Sequence, residues 1–344
     1  MATDKNIAIS WLLKQHFNGA PKLQDFQLVK EPLKDLKENE ITIESFYLSP
    51  DPYQRLFSMG LKPPCVMLGA SIAKVIRSNN PDYPIDSTVF SNHGWILRGN
   101  VDPTKHVEHG VMNFGRIPDS DHPSHYLGLY GLTGLTAYYG LIKHCQPKKG
   151  EVVFVNAASG GVGHLVGQIA KILGCKVIGT TGHDSKVQWL KDLGFDIVYN
   201  YKSVDLNEAL KNDVPEGIDV FYDNVGGTAS STVWSHMNLN GRVDVVGVIG
   251  TYNSTKQVMV PDPTSLILTK KLNVSGFHFF DYMNDLEEGR TQLSTWLKNG
   301  QLKLAQETIL HGFEKMPEAL IGLFEQTSNN LGKVIVQAYP NGNQ

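Results

Sequence analysis

The chain has 344 residues, more than twice the usual domain of about 150, so two domains are expected rather than one compact core. Hydrophobic residues make up 41% and charged residues 19%, with 33 Gly and 17 Pro, a balance that excludes disordered and collagen-like chains. A net charge of -3, from 31 Lys and Arg against 34 Asp and Glu with no run of five like charges, disfavours nucleic acid as a partner, and no apolar stretch approaches the ~20 residues of a membrane helix.

In chain order, Met1-Ala2-Thr3-Asp4-Lys5-Asn6 lacks a signal-peptide core, so the chain is expected to stay in the cytoplasm. Short alternating runs follow at Ile7–Trp11, Asp25–Lys30, Glu40–Tyr47, Ser71–Arg77 and Thr88–Asn92, an all-β pattern. The breaks between them are rich in proline, as in Ser49-Pro50-Asp51-Pro52 and Lys62-Pro63-Pro64, which disfavours long helices. His106/His109 and His122/His125 have i, i+3 spacing but lie in loop-like sequence without a His-Glu-x-x-His helix, so they read as surface histidines.

From about residue 133 the pattern becomes strand, turn, helix. Glu151–Val155 is an apolar strand, followed by Ala157-Ala158-Ser159-Gly160-Gly161-Val162-Gly163 and a helix over His164–Leu173 closed by Gly174. Cys175–Thr180 is the next strand, Asp184 caps a helix to Leu193, and Gly194 precedes a strand at Asp196–Tyr199. Further strands are expected at Ile218–Tyr222, Arg242–Val248 and Leu272–Phe277, giving a mostly parallel sheet with helices on both faces. An amphipathic segment at Thr291–Lys298 and a strand within Leu331–Val336 end the chain, the latter expected to join a sheet already formed.

Cys65, Cys145 and Cys175 are an odd, scattered set, which rules out a disulfide framework and a four-cysteine zinc site. The turn Ala158-x-Gly160-x-x-Gly163 between a strand and a helix fits a dinucleotide pyrophosphate, which backbone N–H groups hold at the helix N-terminus while Gly163 permits close packing. An NAD site wants an acid at the tip of the second strand, and the tip here is Gly179-Thr180-Thr181-Gly182. Lys186 and Tyr201 offer a charge and a hydroxyl for a 2′-phosphate, so NADPH is favoured over NADH, although Lys186 also reads as a solvated lysine on a helix face.

Five motifs then occur in order: Asp51-Pro52-Tyr53-x-Arg55, Gly134-Leu135-Thr136-Ala137-Tyr138, Ala157-Ala158-x-Gly160-x-Val162-Gly163, Asp223-Asn224-Val225-Gly226-Gly227 and Asn330-Leu331-Gly332-Lys333. Together they resemble the zinc-independent medium-chain dehydrogenase/reductases, in the branch of prostaglandin reductases and 2-alkenal double-bond reductases. The resemblance implies an α/β fold in which a doubly wound parallel Rossmann sheet, residues 129–299, is inserted into a GroES-like β-barrel domain, residues 1–128 plus 300–344. Zinc relatives carry a cysteine ligand near Asp51 and a Gly-His-Glu motif where this chain has Gly69-Ala70-Ser71, so no metal is expected.

By the same resemblance Gly160, Gly161, Val162 and Gly163 bind the pyrophosphate, and Lys186 and Tyr201 the 2′-phosphate. Asn224, Val246, Gly247, Val248, Ile249, Gly250, Thr251, Tyr252, Phe277, His278, Phe279 and Asn330 line the nicotinamide half. Relatives often carry a tyrosine eight positions before Phe277, where this chain has Thr269. The implied reaction is hydride transfer from NADPH to the β-carbon of a small-molecule enal or enone, such as a 2-alkenal or a 15-oxo-prostaglandin, with protonation at the α-carbon. Tyr53 and Tyr252 are the candidate donors to the carbonyl oxygen, each with an alternative reading as a packing residue. Phe279, Phe280 and Tyr282 would suit a lipid-like enone, with simple core packing as the alternative reading of an aromatic run. A homodimer is a family expectation. A zinc-less quinone reductase of the zeta-crystallin type and a non-catalytic NADPH-binding protein are the competing readings.

Overall fold

The computed structural model describes residues 5–105, 107, 112–305, 307–325 and 330–339. The backbone divides into two compact units, residues 1–131 with 309–325 and 334–344, and residues 132–308 with 326–333. His106 and His109 lie outside the described residues.

In the first unit the alternating runs form strands β1 (Ile7–Leu13), β2 (Phe26–Pro32) and β3 (Ile41–Ser49). The proline-rich break after β3 carries a short helix, α1 (Tyr53–Phe57), which starts directly after Pro52, where a proline costs no hydrogen bond. Then come β4 (Cys65–Val66), β5 (Ala70–Ser78), β6 (Thr88–Ser91), β7 (Ile96–Val101) and β8 (Gly115–Arg116). They pair in the order β2-β1-β7-β3-β5-β6-β8, with β4 on β1. Period-two patterning puts Ile41, Ile43, Val75 and Val89 in one core and Leu13, Leu48, Met67 and Trp95 in another. Burying a side chain of this size contributes about 1.5–3 kcal/mol.

The second unit opens with α2 (Leu132–Tyr139) and a π-helical turn at Gly140–Cys145. It continues through β9 (Val152–Val155), α3 (Gly163–Ile172), β10 (Lys176–Thr181), α4 (Asp184–Asp192), β11 (Ile197–Asn200), α5 (Leu206–Asp213), β12 (Ile218–Asp223), α6 (Gly227–Ser235), β13 (Met237–Val245), α7 (Thr264–Lys270), β14 (Asn273–Gly276) and α8 (Leu286–Lys298). Its six strands are parallel in the order β11-β10-β9-β12-β13-β14, which counted from the first strand is the Rossmann order 3-2-1-4-5-6. All four residues of β9 are buried, as a central parallel strand covered on both faces requires. The order reverses between β9 and β12, so the crevice for a ligand lies beyond their C-terminal ends.

The chain ends with β15 (Thr308–His311), α9 (Met316–Gly322) and β16 (Val334–Gln337). β16 runs antiparallel to β3, with Val336 opposite Leu48 and Gln337 opposite Tyr47. Among the described residues no helix is long and apolar enough to cross a membrane.

Three local expectations are corrected. The helix expected at Thr291–Lys298 begins at Leu286, because Gly289 is a contact residue rather than a break: a Cβ there would sit 2.7 Å from Leu135 Cδ2 and 3.1 Å from the Tyr139 ring. The strand expected at Arg242–Val248 spans Met237–Val245, since the N–H groups of Val246 and Gly247 turn to the Asp223 carbonyl at 2.8 and 3.1 Å. Asp184 does not cap α4: His183 does, its Nδ1 accepting the Ser185 N–H, while the Asp184 carboxylate accepts from Asn200 Nδ2 at 2.7 Å. The short helix α9, with Pro317 in its first turn, has too few residues to show a period.

Candidate functional site

The turn after β9 is built for a close approach. Ala157 adopts a left-handed φ of 45°, which lets the Gly160 N–H close onto the Ala157 carbonyl at 3.0 Å. A Cβ on Gly163 would lie 2.6 Å from Ala157 O and 2.7 Å from Ala158 Cα, so only glycine allows α3 to start this close to the turn. Gly332 pairs with Gly160 in a parallel bridge and donates to Ser159 O at 3.0 Å, while Lys333, 7% exposed, lies over Gly161. The same bridge faces the Gly161 N–H toward the Gly332 carbonyl, whereas among the described residues no carbonyl accepts the N–H groups of Val162 or Gly163. Two such donors at the start of a ten-residue helix fit the pyrophosphate of a dinucleotide.

At the tip of β10 there is no acid. Thr180 and Thr181 are buried, and the Thr181 hydroxyl is 2.9 Å from Ser159 Oγ. Beyond the tip Lys186 is 8% exposed, and its ammonium is held below its usual pKa first by burial and then by the like charge of Lys202. A Cβ on Gly182 would stand 3.1 Å from Tyr201 Oη and 3.4 Å from Lys202 Cε, so tyrosine and second lysine converge on the bare glycine. Tyr201 and Lys202 at a bare glycine, with Lys186 within charge range of Lys202, fit a 2′-phosphate, whose charge would relieve the repulsion between the lysines.

At the switch point a polar network ties the strand ends together. One oxygen of the buried Asp223 carboxylate, Oδ1, accepts from Asn156 Nδ2 at 2.6 Å, from the Val225 and Gly226 N–H groups at 2.9 Å each and from Ser230 Oγ at 2.8 Å. Asn156 Oδ1 accepts the Asn224 N–H at 2.6 Å, and Asn224 Nδ2 donates to Asn156 O at 3.1 Å. The 246–252 segment folds onto this frame: the Ile249 N–H bonds Asn224 O at 3.3 Å and the Gly250 N–H bonds Val225 O at 3.0 Å. Phe277, 8% exposed, follows β14 with its N–H on Val245 O at 3.1 Å and its ring edge-on to His144 at 5.2 Å. Asn224, Val246 through Tyr252 and Phe277 thus belong to one framework. Tyr282 is drawn instead into aromatic packing, stacked on Tyr139 at 4.5 Å and on Phe277 at 5.9 Å.

Tyr252 is partly buried, and burial raises its phenol above the ordinary value while the Val248 backbone partly offsets the rise. In the first unit Tyr53 opens α1 with its ring 5.7 Å from Phe57, and its phenol is pushed far up by burial and by the neighbouring Asp51 carboxylate. Both phenols therefore stay protonated and can donate at neutral pH. Arg55 anchors α1, donating from Nη2 to Gly19 O at 3.1 Å while its guanidinium lies 5.3 Å from the Phe17 ring centre. Thr269 is exposed on α7 and donates its hydroxyl to Ser265 O at 2.8 Å, so its proton is engaged within its own helix.

The family model for zinc-binding dehydrogenases matches residues 161–295, and that for the N-terminal domain of oxidoreductases matches residues 10–108. The chain is 40% identical to prostaglandin reductase 1 of Bos taurus over 333 residues, covering 96% of this chain and 99% of that protein. The chain belongs to the zinc-independent medium-chain dehydrogenase/reductases. It is also 37% identical to the NADP(+)-dependent 2-alkenal reductase of Nicotiana tabacum over 340 residues, covering 94% of this chain and 96% of that one. Among solved structures, CurA of Vibrio vulnificus in complex with NADPH matches with a TM-score of 0.88 at 33% identity, over 97% of this chain and all of the other.

Where zinc-dependent members of the dehydrogenase/reductase family carry ligands, this reductase has Gly69, packed so that a Cβ would be 2.7 Å from Trp95 Nε1 and 2.9 Å from Gln54 Nε2, followed by buried Ala70 and Ser71. Sequence reasoning about the reductase missed Lys202, Lys333 and Asn156. Lys202 directly follows Tyr201 and could have been found from that adjacency. Lys333 closes the last of the five motifs, but nothing local gives it a role, and nothing local marks Asn156, because each meets its partner far away in the chain.

Proposed function

We propose that the protein reduces the C=C bond of α,β-unsaturated aldehydes and ketones with NADPH, without a metal. The observation that carries this reading is the end-to-end likeness to a prostaglandin reductase and a 2-alkenal reductase. The lysine-lined, acid-free tip beside Gly182 supports NADPH over NADH. When bound, NADPH supplies the hydride for the β-carbon.

The chain's own contribution is placement and charge. The Gly160 to Gly163 turn would hold the pyrophosphate, with the Val162 and Gly163 N–H groups as its free donors, Lys186 and Tyr201 the 2′-phosphate, and Asn224, the 246–252 and 277–279 segments and Asn330 the nicotinamide half. As the β-carbon is reduced the substrate carbonyl oxygen gains negative charge, and a proton is then added at the α-carbon. A neutral phenol suits the first task because it donates without a charge of its own, and one well-aimed donor contributes on the order of a hundred- to a thousandfold in rate. Tyr53 and Tyr252, each kept protonated by burial, are the candidate donors. With Thr269 back-bonded to Ser265, a threonine does not replace the tyrosine that relatives often carry there.

The test is a steady-state panel of 2-alkenals, enones, 15-oxo-prostaglandins and quinones with each cofactor, in the presence of a chelator. NADPH oxidation by enals and enones is expected. Turnover confined to quinones would replace this reading with a quinone reductase, and loss of activity in chelator would end the metal-free claim. Tyr53→Phe and Tyr252→Phe should each keep NADPH affinity, and at least one should lower kcat by about a hundredfold; unchanged turnover in both removes the phenols from the chemistry. A homodimer is part of the proposal, because β14 is the outer strand of the parallel sheet and exposes Val274 (37%), with Leu268 (78%) exposed on the helix that precedes it. Sedimentation at the 38.1 kDa of a single chain would overturn it.

A further inference from the structure

His164 stands in the first turn of α3, immediately after the phosphate turn, and is only 5% exposed. Its Nδ1 lies 2.8 Å from the Gly160 carbonyl oxygen, and its backbone N–H reaches the same oxygen at 3.3 Å. A carbonyl can only accept, so the ring hydrogen is on Nδ1. Burial holds the imidazole neutral, its pKa drawn from 6.5 down to about 4, with the Gly160 hydrogen bond pulling the other way. The ring also packs at a tilt 5.7 Å from Trp189 on α4, which fixes it in place.

The consequence follows from peptide geometry. In a planar trans peptide the C=O of one residue and the N–H of the next point in opposite directions. A Gly-Gly step has the widest backbone freedom of any pair, so Gly160-Gly161 depends on constraints from outside it, of which the Gly332 bridge is one and His164 another. We propose that His164 is a positioning residue of the dinucleotide site: by holding the Gly160 carbonyl against α3 it fixes, together with the Gly332 bridge, the turn that presents the Val162 and Gly163 N–H groups to the pyrophosphate. The proposal rests on the dinucleotide reading of the turn. It predicts an effect on the part of the cofactor that NADPH and NADH share, and none on their discrimination.

The experiment titrates NADPH and NADH into the wild-type chain, His164→Ala and His164→Asn, following the quenching of tryptophan fluorescence. Losing one such hydrogen bond should raise Kd about five- to tenfold in the Ala variant, equally for both cofactors. Asn places an amide N–H where Nδ1–H stood, so it should restore binding to within about twofold of wild type. An unchanged Kd in His164→Ala, an effect on NADPH alone, or an Asn variant as weak as Ala would overturn the proposal. Nitrogen-15 NMR of the wild-type imidazole gives a second reading that needs no variant to fold: a neutral Nδ1–H tautomer at pH 7 is expected, and an Nε2–H tautomer overturns it. A wild-type chain that binds neither dinucleotide would instead remove the reading on which the proposal stands.

Discussion

Gly163→Ala is expected to raise the Kd for NADPH by about a hundredfold or more while leaving a folded protein. The added Cβ would meet Ala157 O at 2.6 Å, Ala158 Cα at 2.7 Å and Ala158 O at 3.0 Å, all of them backbone atoms that no rotamer change can move aside. The first turn of α3 must therefore back away from β9, carrying the Val162 and Gly163 N–H groups with it. A displacement of order 1 Å at a binding group costs on the order of a hundredfold. The fold should survive, because α3 keeps its buried side chains Leu165, Val166 and Ile169 in place. Gly160→Ala is the matched comparison: its Cβ would meet one atom, Ala157 O at 3.3 Å, and a loss below about tenfold is expected. Isothermal titration with both variants decides the matter, and equal losses would mean that the turn adjusts as a whole.

What could be read from the residues, and what could not, divides by whether the cause is local. Glu151–Val155, the glycine turn and the helix behind it were legible because each rests on composition over a short window: an apolar strand, a turn needing glycine, an amphipathic helix. The absent acid after β10 was legible for the same reason. Asp184 shows the limit, since an acid at a helix start reads as a cap, yet His183 caps and Asp184 turns to Asn200, sixteen residues later. Gly289 shows it again: a glycine in a helical stretch reads as a break until Leu135 and Tyr139 are seen to press against it.

The site divides in the same way. Gly160 to Gly163 and Lys186 were visible, but the Asn156–Asp223 network that supports Asn224 joins residues 67 positions apart. Gly332 and Lys333 reach the phosphate turn from the far end of the chain, and sequence spacing carries no trace of that bridge. His164 was visible only as one letter of a helix, and its hydrogen bond to the turn behind it depends on a side-chain direction that a pattern of apolar positions does not encode.

The remaining large effect concerns the choice of cofactor, and the expected result is a selective loss: Lys186→Ala with Lys202→Ala should weaken NADPH by about a hundredfold and leave NADH within about twofold. Each charge-assisted hydrogen bond contributes about 1.5–3 kcal/mol when well formed, and solvent screening at the partly open tip reduces the sum toward the lower end. Burial and mutual repulsion lower Lys186 in the free protein, so the arriving phosphate stabilises a charge that the fold alone disfavours. For that reason the single variants should not add. Removing Lys202 relieves Lys186 of a like charge, which partly offsets the lost contact and makes Lys202→Ala the milder of the two. Adenosine 2′,5′-bisphosphate, which carries the distinguishing phosphate without nicotinamide, should compete with NADPH in the wild type and lose that ability in the double variant. Parallel losses for NADPH and NADH would assign the lysines to stability rather than to recognition, and the basis of NADPH preference would then have to lie in Tyr201 and the bare Gly182 alone.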